Sequence, residues 1–308
     1  MWRSWFLYLS TNGVSRRLAT GNGLAWRIAS RFVAGEKLED ALTAALELKH
    51  RGAAAELDYL GENVASRQQA EVSRNEYLRS TDRLAAAGVD GHVSLKLSQM
   101  GLDLDEDLCR TNVEAIVSSA ETLGIFVWFD MEGSNYTDRT LEYYSRVRKA
   151  HPNVGIALQA YLYRTIADVS RVLSIGGTIR LVKGAYLEPH SLAYPSKKDV
   201  DLNYQRLSEV LLSSRDYHAI ATHDEWMISH VIDYAKASQI DRQQFEFQML
   251  YGVRRDLQER LLAGGYRLRV YVPYGVEWYP YFMRRLGERP ANLLFLLGNL
   301  AREAVIKR

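Results

Sequence analysis

The sequence predicts an α/β fold, a (βα)8 barrel, from three observations. Eight short apolar runs follow one another from residue 54 onward, with starts 23 to 40 residues apart, about the length of one βα unit. The longer stretches between them carry apolar residues near helical spacing, with charges elsewhere. Polar or charged residues stand at the carboxyl end of seven of the eight runs, which is where such a barrel builds its site.

Ala54–Leu60 (AAELDYL) opens the series. Val93–Leu97 (VSLKL) carries Lys96 and leads into Ser98. Phe126–Met131 (FVWFDM) is aromatic and brings Asp130, with Glu132 just beyond it. Gly155–Ala160 (GIALQA) holds Gln159, and Thr178–Ala185 (TIRLVKGA) holds Arg180 and Lys183. His218–His223 (HAIATH) ends on Thr222 and His223, Phe245–Leu250 (FEFQML) holds Gln248, and Leu268–Val272 (LRVYV) holds Tyr271. Several runs are rich in β-branched or aromatic residues and follow Gly, Pro or Asn, as strands do. Asp105–Leu123 and Leu202–Ser213 read as helices, and so does Trp278–Leu286 after the last strand. With six prolines and no internal repeat, no linker interrupts the series. The chain divides into an N-terminal helical arm, residues 1–53, and a barrel, residues 54–308. A doubly wound open sheet is the alternative arrangement of the same units.

Composition narrows the function. The 308 residues are 47% hydrophobic and 25% charged, which is ordinary globular usage. A net charge of +2 offers no electrostatic case for nucleic acid. The single cysteine, Cys109, forms no internal disulfide, and no zinc-type spacing occurs, which fits a reduced cytoplasmic setting and no metal. The apolar run 291–301 is about half the length a membrane-spanning helix needs. One asymmetry stands out. Residues 1–35 carry Arg3, Arg16, Arg17, Arg27 and Arg31 and no acid, for a charge of +5, interleaved with Trp2, Trp5, Phe6, Tyr8, Trp26 and Phe32. That combination suits peripheral contact with an anionic membrane, here the inner face of the cell membrane, or an arm that folds back on its own domain. The stretch Trp5–Leu9 is shorter than a signal peptide's apolar core.

The strand ends collect cations. Lys96, Arg180 and Lys183 come from strands, and Arg284 and Arg285 from the helix after the last one. Guanidinium forks suit carboxylate or phosphate, although Arg284 or Arg285 pairing with Glu288 along its own helix is the plainer reading of that pair. Asp130 and Glu132, two apart at a strand end, offer a divalent cation two carboxylates, since alternate strand residues point to one side. Lys96 or Lys183, if desolvated, would serve a Schiff-base aldolase. Gly21 and Gly23 lack the third glycine and the preceding strand of a dinucleotide fingerprint. His223 taken alone is a structural histidine.

Seven segments, in order and at natural spacing, carry a family resemblance: SLKLSQMGLD (94–103), FDMEGS (129–134), LQAYLYRT (158–165), RLVKGAY (180–186), ATHD (221–224), FEFQMLYGVR (245–254), and RVYVPYG (269–275) with YFMRR (281–285). From about residue 54 to the segment RRLGERPAN the chain resembles proline dehydrogenase, found alone or within bifunctional proline-utilisation proteins. The first 50 residues carry none of it. The resemblance implies a distorted (βα)8 barrel of the TIM type that binds FAD and oxidises L-proline to Δ1-pyrroline-5-carboxylate, with a membrane quinone as the onward acceptor. It implies that Lys96, Arg284 and Arg285 pair with the substrate carboxylate, and that Asp130 and Arg180 act at the reacting centre, Arg180 near the reactive flavin nitrogen. Tyr186, Leu250, Tyr271 and Tyr281 would wall the substrate ring. Met131, Gln159, Lys183, Gly184, Ala185, Thr222 and His223 would contact the flavin. A non-catalytic membrane-associated module is a further alternative for a chain with such an arm.

Overall fold

The computed structural model describes residues 23–288. Two helices, α1 (Gly23–Ala29) and α2 (Leu38–His50), precede the first strand. Strand and helix then alternate: β1 (Ala54–Tyr59), α3 (Arg67–Ala86), β2 (Gly91–Leu95), α4 (Glu106–Thr122), β3 (Phe126–Phe129), α5 (Thr137–Ala150), β4 (Val154–Gln159) and α6 (Thr165–Leu173). The second half continues with β5 (Thr178–Val182), α7 (Lys197–Ser213), β6 (His218–Ala221), α8 (Glu225–Ala237), β7 (Phe245–Leu250), α9 (Arg255–Ala263), β8 (Arg267–Tyr274) and α10 (Trp278–Glu288). All neighbouring strands are parallel, in sequence order, and β1 pairs with β8 to close the barrel. Closure excludes the open sheet.

Each of the eight apolar runs is a strand, and the three expected helices are α4, α7 and α10. The helix starts have local causes. Asp105 caps α4 by accepting the backbone N–H groups of Asp107 and Leu108, and Ser66 caps α3 through that of Gln69. Helix α7 starts earlier than its apolar pattern, because Ser196 accepts the N–H of Asp199 and sets the boundary at Lys197.

The strands are two-faced. Leu57, Val93, Leu95, Val127, Phe129, Ile156, Leu158, Ile179, Leu181, Ile220, Phe247 and Val270 are buried in one cluster with the inner faces of the helices. The alternate residues, among them Glu56, Asp58, Ser94, Asp130, Arg180, Gln248 and Arg269, meet inside the barrel. Period-two alternation thus sends apolar residues out to the helices and polar ones inward.

Helix α2 lies over the seam between β1 and β8, with Leu38, Ala41, Leu42, Ala45 and Leu48 in the main core. The α1 segment packs instead on α10. Ala29, Phe32 and Val33 share a cluster with Trp278, Tyr279, Phe282 and Leu286, and Trp26 meets Trp278 edge-on at 5.3 Å. Two of the six N-terminal aromatics, Trp26 and Phe32, therefore bury against their own domain. Trp2, Trp5, Phe6 and Tyr8 lie outside the described residues, as do Arg3, Arg16 and Arg17. Among the described residues no helix is long and apolar enough to cross a membrane.

Gly252, at φ +72°, seats this segment: a Cβ there would stand 1.7 Å from the carbonyl oxygen of Arg31. Backbone overlap together with positive φ leaves an alanine nowhere to go. Gly252→Ala is expected to cost roughly 2 kcal/mol or more and to lower the melting temperature by several degrees. A thermal melt unchanged within a degree would show that the contact is not tight.

Candidate active site

A cavity of about 1410 Å³ opens at the carboxyl ends of the strands. Its floor is a chain of alternating charges inside the barrel. Glu56 pairs with Nη1 of Arg180, whose Nη2 pairs with Asp130. Asp130 then accepts from Lys96 Nζ at 2.9 Å, and Lys96 reaches Asp58 at 3.2 Å on its other side. Arg180 also donates to Ser94 at 2.9 Å and Gln248 at 3.2 Å, and lies 4.9 Å above the Trp128 ring. Below this layer Gln248 donates to Glu246, which holds the buried Arg269 at 3.0 Å.

Asp130 is the hub. Burial pushes its carboxyl up, but Lys96 and Arg180 overcome that and hold it down at about 2, helped by Ser94 at 2.8 Å. Tyr271 donates to the same carboxylate at 3.1 Å. Burial works against the Lys96 ammonium, yet Asp130 and Asp58 outweigh it and hold Lys96 well above its ordinary value. A Schiff-base lysine must lose its proton readily, and Lys96 is built to keep one. Lys183 is tied to Asp201 at 2.6 Å and Asp224 at 3.0 Å.

Helix α10 forms the roof. Arg284 pairs with Glu62 at 2.6 Å, and Arg285 lies over the Tyr281 ring at 5.3 Å. Glu62 comes from the loop after β1, a partner that no helical spacing reveals. The side wall is built from the ends of β5 and β6. Gly184 adopts φ +117°, and a Cβ there would meet the Tyr161 ring at 2.3 Å, so the backbone approaches that ring more closely than any side chain would allow. His223 accepts the Leu250 backbone N–H at Nε2 (2.8 Å), which joins β6 to β7 at the rim.

Asp130 and Glu132 do not face one another as a pair. Strand β3 ends at Phe129, so alternation stops, and the two carboxylates take different partners. Glu132 accepts from the backbone N–H of Ser98 at 3.1 Å and pairs with its hydroxyl at 2.5 Å. No metal-type cluster occurs among the described residues. All sixteen residues singled out above line this one cavity: the cations expected to pair with a carboxylate, Asp130 and Arg180, the four expected ring-wall residues and the seven expected flavin contacts. The sequence reading missed Glu56, Asp58 and Glu62. The signal was present in AAELDYL, where Glu56 and Asp58 stand two apart in an otherwise apolar strand.

Burial pushes Glu132 up to about 7, against the pull of its Ser98 hydrogen bonds. A carboxyl whose folded pKa exceeds its unfolded one adds stability below about pH 4.5 and loses it as pH rises through about 7. The shift corresponds to about 3 kcal/mol at most. Glu132→Gln is therefore expected to flatten the stability profile between pH 5 and 8 relative to the parent. Urea denaturation at both pH values checks it, and parallel profiles would contradict it.

Residues 41–297 match the sequence model of the proline dehydrogenase family. Proline dehydrogenase 1 of Bacillus subtilis is 40% identical over 303 residues, covering 98% of this chain and all of that protein. The proline dehydrogenase of Deinococcus radiodurans is 43% identical over 280 residues, 89% of this chain and 90% of that one. Among solved structures, proline utilization A of Bdellovibrio bacteriovorus, inactivated by N-propargylglycine, superposes with a TM-score of 0.80 at 25% identity. That match covers 90% of this chain and 34% of the longer protein, so the chain spans about a third of it. With its closed barrel and its matched sequence, this chain is an enzyme of the proline dehydrogenase family.

Proposed function

We propose that the chain oxidises L-proline to Δ1-pyrroline-5-carboxylate, using FAD as the hydride acceptor and a quinone as the onward acceptor. The observation that carries this reading is the union of Lys96, Arg284 and Arg285 with a sealed ionic floor in one large cavity. Three cations suit one small carboxylate, and Tyr186, Leu250, Tyr271 and Tyr281 offer ring-sized walls beside them. The cavity volume accommodates a dinucleotide together with a five-membered ring, and Gly184 lies in its wall. Gln159, Lys183, Thr222 and His223 stand along that wall, with Met131 and Ala185 as apolar neighbours. When bound, the flavin would supply two-electron acceptance from carbon.

The protein's own residues orient and exclude. In this reading the substrate carboxylate docks on Lys96 and on the α10 guanidinium groups, competing with Glu62 for Arg284. Fixing one end of a small ring sets the position of its α-nitrogen and reacting carbon. Arg180 is held as a permanent cation by Glu56 and Asp130 and would stabilise negative charge gained by a bound acceptor. Asp130, held at about 2, serves as an orienting anion and not as a base. The aldolase alternative is disfavoured by the fixed Lys96 ammonium. A peripheral membrane role for residues 1–35 now has Trp26 and Phe32 unavailable, because both are packed on α10.

The purified protein, supplied with FAD, should absorb in the visible and bleach under anaerobic L-proline. Folded, flavin-loaded protein that proline leaves unbleached would overturn the reading. Arg284→Met and Arg285→Met should each raise KM for proline about 30-fold or more while flavin content stays unchanged. Steady-state kinetics with a dye acceptor checks this, and wild-type KM in both variants would remove α10 from the site.

A further inference from the structure

Asp58 has no part in the chemistry described so far, although its carboxylate is only 1% exposed and lines the cavity. Its Oδ1 holds Lys96 at 3.2 Å, while its Oδ2 is buried and takes no hydrogen bond among the described residues. The Tyr271 hydroxyl is a near neighbour, donating to Asp130 at 3.1 Å and interacting with Asp58 as well. Tyr77 of α3 is the other titratable group that feels Asp58, with Lys96, Asp130 and Tyr271 completing its surroundings. Within the floor, Glu56, Asp58 and Asp130 outnumber Lys96 and Arg180 by one charge. A buried surplus anion is costly unless a proton is within reach.

Removing hydride from a carbon beside nitrogen needs the nitrogen lone pair, and an amino acid arrives with that nitrogen protonated. The proton must leave first. Asp130 is saturated by Lys96, Arg180, Ser94 and Tyr271, and Lys96 already carries its full complement of protons.

We propose that Asp58 is a positioning residue that stores the proton given up by the substrate's ring ammonium, receiving it through the Tyr271 hydroxyl. This inference rests on the proline reading. The ammonium N–H bond breaks and leaves its electron pair on nitrogen. Its proton joins the Tyr271 oxygen, whose own proton passes to the Asp58 carboxylate and forms an O–H bond there. Nothing is oxidised or reduced. The floor goes from one surplus negative charge to neutral as the bound zwitterion becomes an anion, so the total is unchanged. Burial already pushes the Asp58 carboxyl upward against Lys96, and a second carboxylate arriving on Lys96 pushes it further.

The test uses the flavin-loaded enzyme and tetrahydrofuran-2-carboxylate, which keeps the carboxylate and ring but has no proton to give. Calorimetry in buffers of different ionisation enthalpy should record uptake of about one proton per site on binding at pH 7, and none for Asp58→Asn. With proline and a dye acceptor, Asp58→Asn should lose about 100-fold in kcat/KM at pH 7. It should recover about tenfold per pH unit as free amine is supplied from solution. Asp58→Glu, which keeps an acceptor carboxylate, should retain the parent's pH profile. A wild-type enzyme that oxidises proline yet binds the analogue without proton uptake overturns the role of Asp58 alone, whatever the variants do. Parallel pH profiles for parent and Asp58→Asn overturn it as well. A wild-type enzyme that does not oxidise proline overturns the functional reading instead.

Discussion

A guanidinium buried at the centre of a closed barrel imposes the arrangement around it. Arg180 is only 3% exposed, and a desolvated cation of that kind is tolerable only if every side of it is met by acceptors or π faces. Glu56 meets it from β1 across the barrel and Asp130 from the end of β3, Ser94 and Gln248 accept further Nη hydrogens, and the Trp128 ring lies under it. Those five residues come from β1, β2, β3, the residue just after β3, and β7, so one side chain ties together half the barrel. Asp130 extends the chain to Lys96 and Lys96 to Asp58, so the position of the ammonium at the cavity floor is inherited from Arg180.

The architecture separates stability from chemistry along each strand. Outward residues such as Leu57, Phe129, Ile156 and Val270 build the apolar layer under the helices, where burial supplies most of the favourable free energy. Inward residues form an ionic interior where a barrel more often stacks branched aliphatics. An interior of paired charges contributes little net stability, but it fixes directions. A floor that must bind a small zwitterion the same way each time needs direction more than it needs stability.

The roof depends on a part of the chain far from it in sequence. Helix α10 carries Tyr281, Arg284 and Arg285 over the cavity, and its outer face is covered by Trp26, Ala29, Phe32 and Val33. The Ala34 N–H reaches the Pro273 carbonyl at 2.9 Å and Trp278 donates to Glu36 at 3.2 Å, so strand β8, helix α10 and the α1 segment form one clamp. Basic and aromatic composition near the N-terminus suggested a surface-seeking arm. For Trp26 and Phe32, the partner is the roof helix.

Strand placement and barrel class were legible from the sequence, because alternation in β1 to β8 and helical spacing between them are local properties of the chain. The inventory of Lys96, Asp130 and Arg180 was legible too, since charges in or just after apolar strands are rare and stand out, and Arg284 and Arg285 stood out as a basic pair on the helix after the last strand. Their partners were not. Nothing local joins Glu62 to Arg284, 222 positions away, or Glu56 to Arg180, 124 positions away. Asp130 and Glu132 looked like a pair by spacing, and the end of β3 at Phe129 parted them. Periodicity determines which face a residue takes. Which charge neutralises which is decided only when closure of the barrel brings opposite strands within a few ångströms, because electrostatic pairing depends on distance in space and not along the chain.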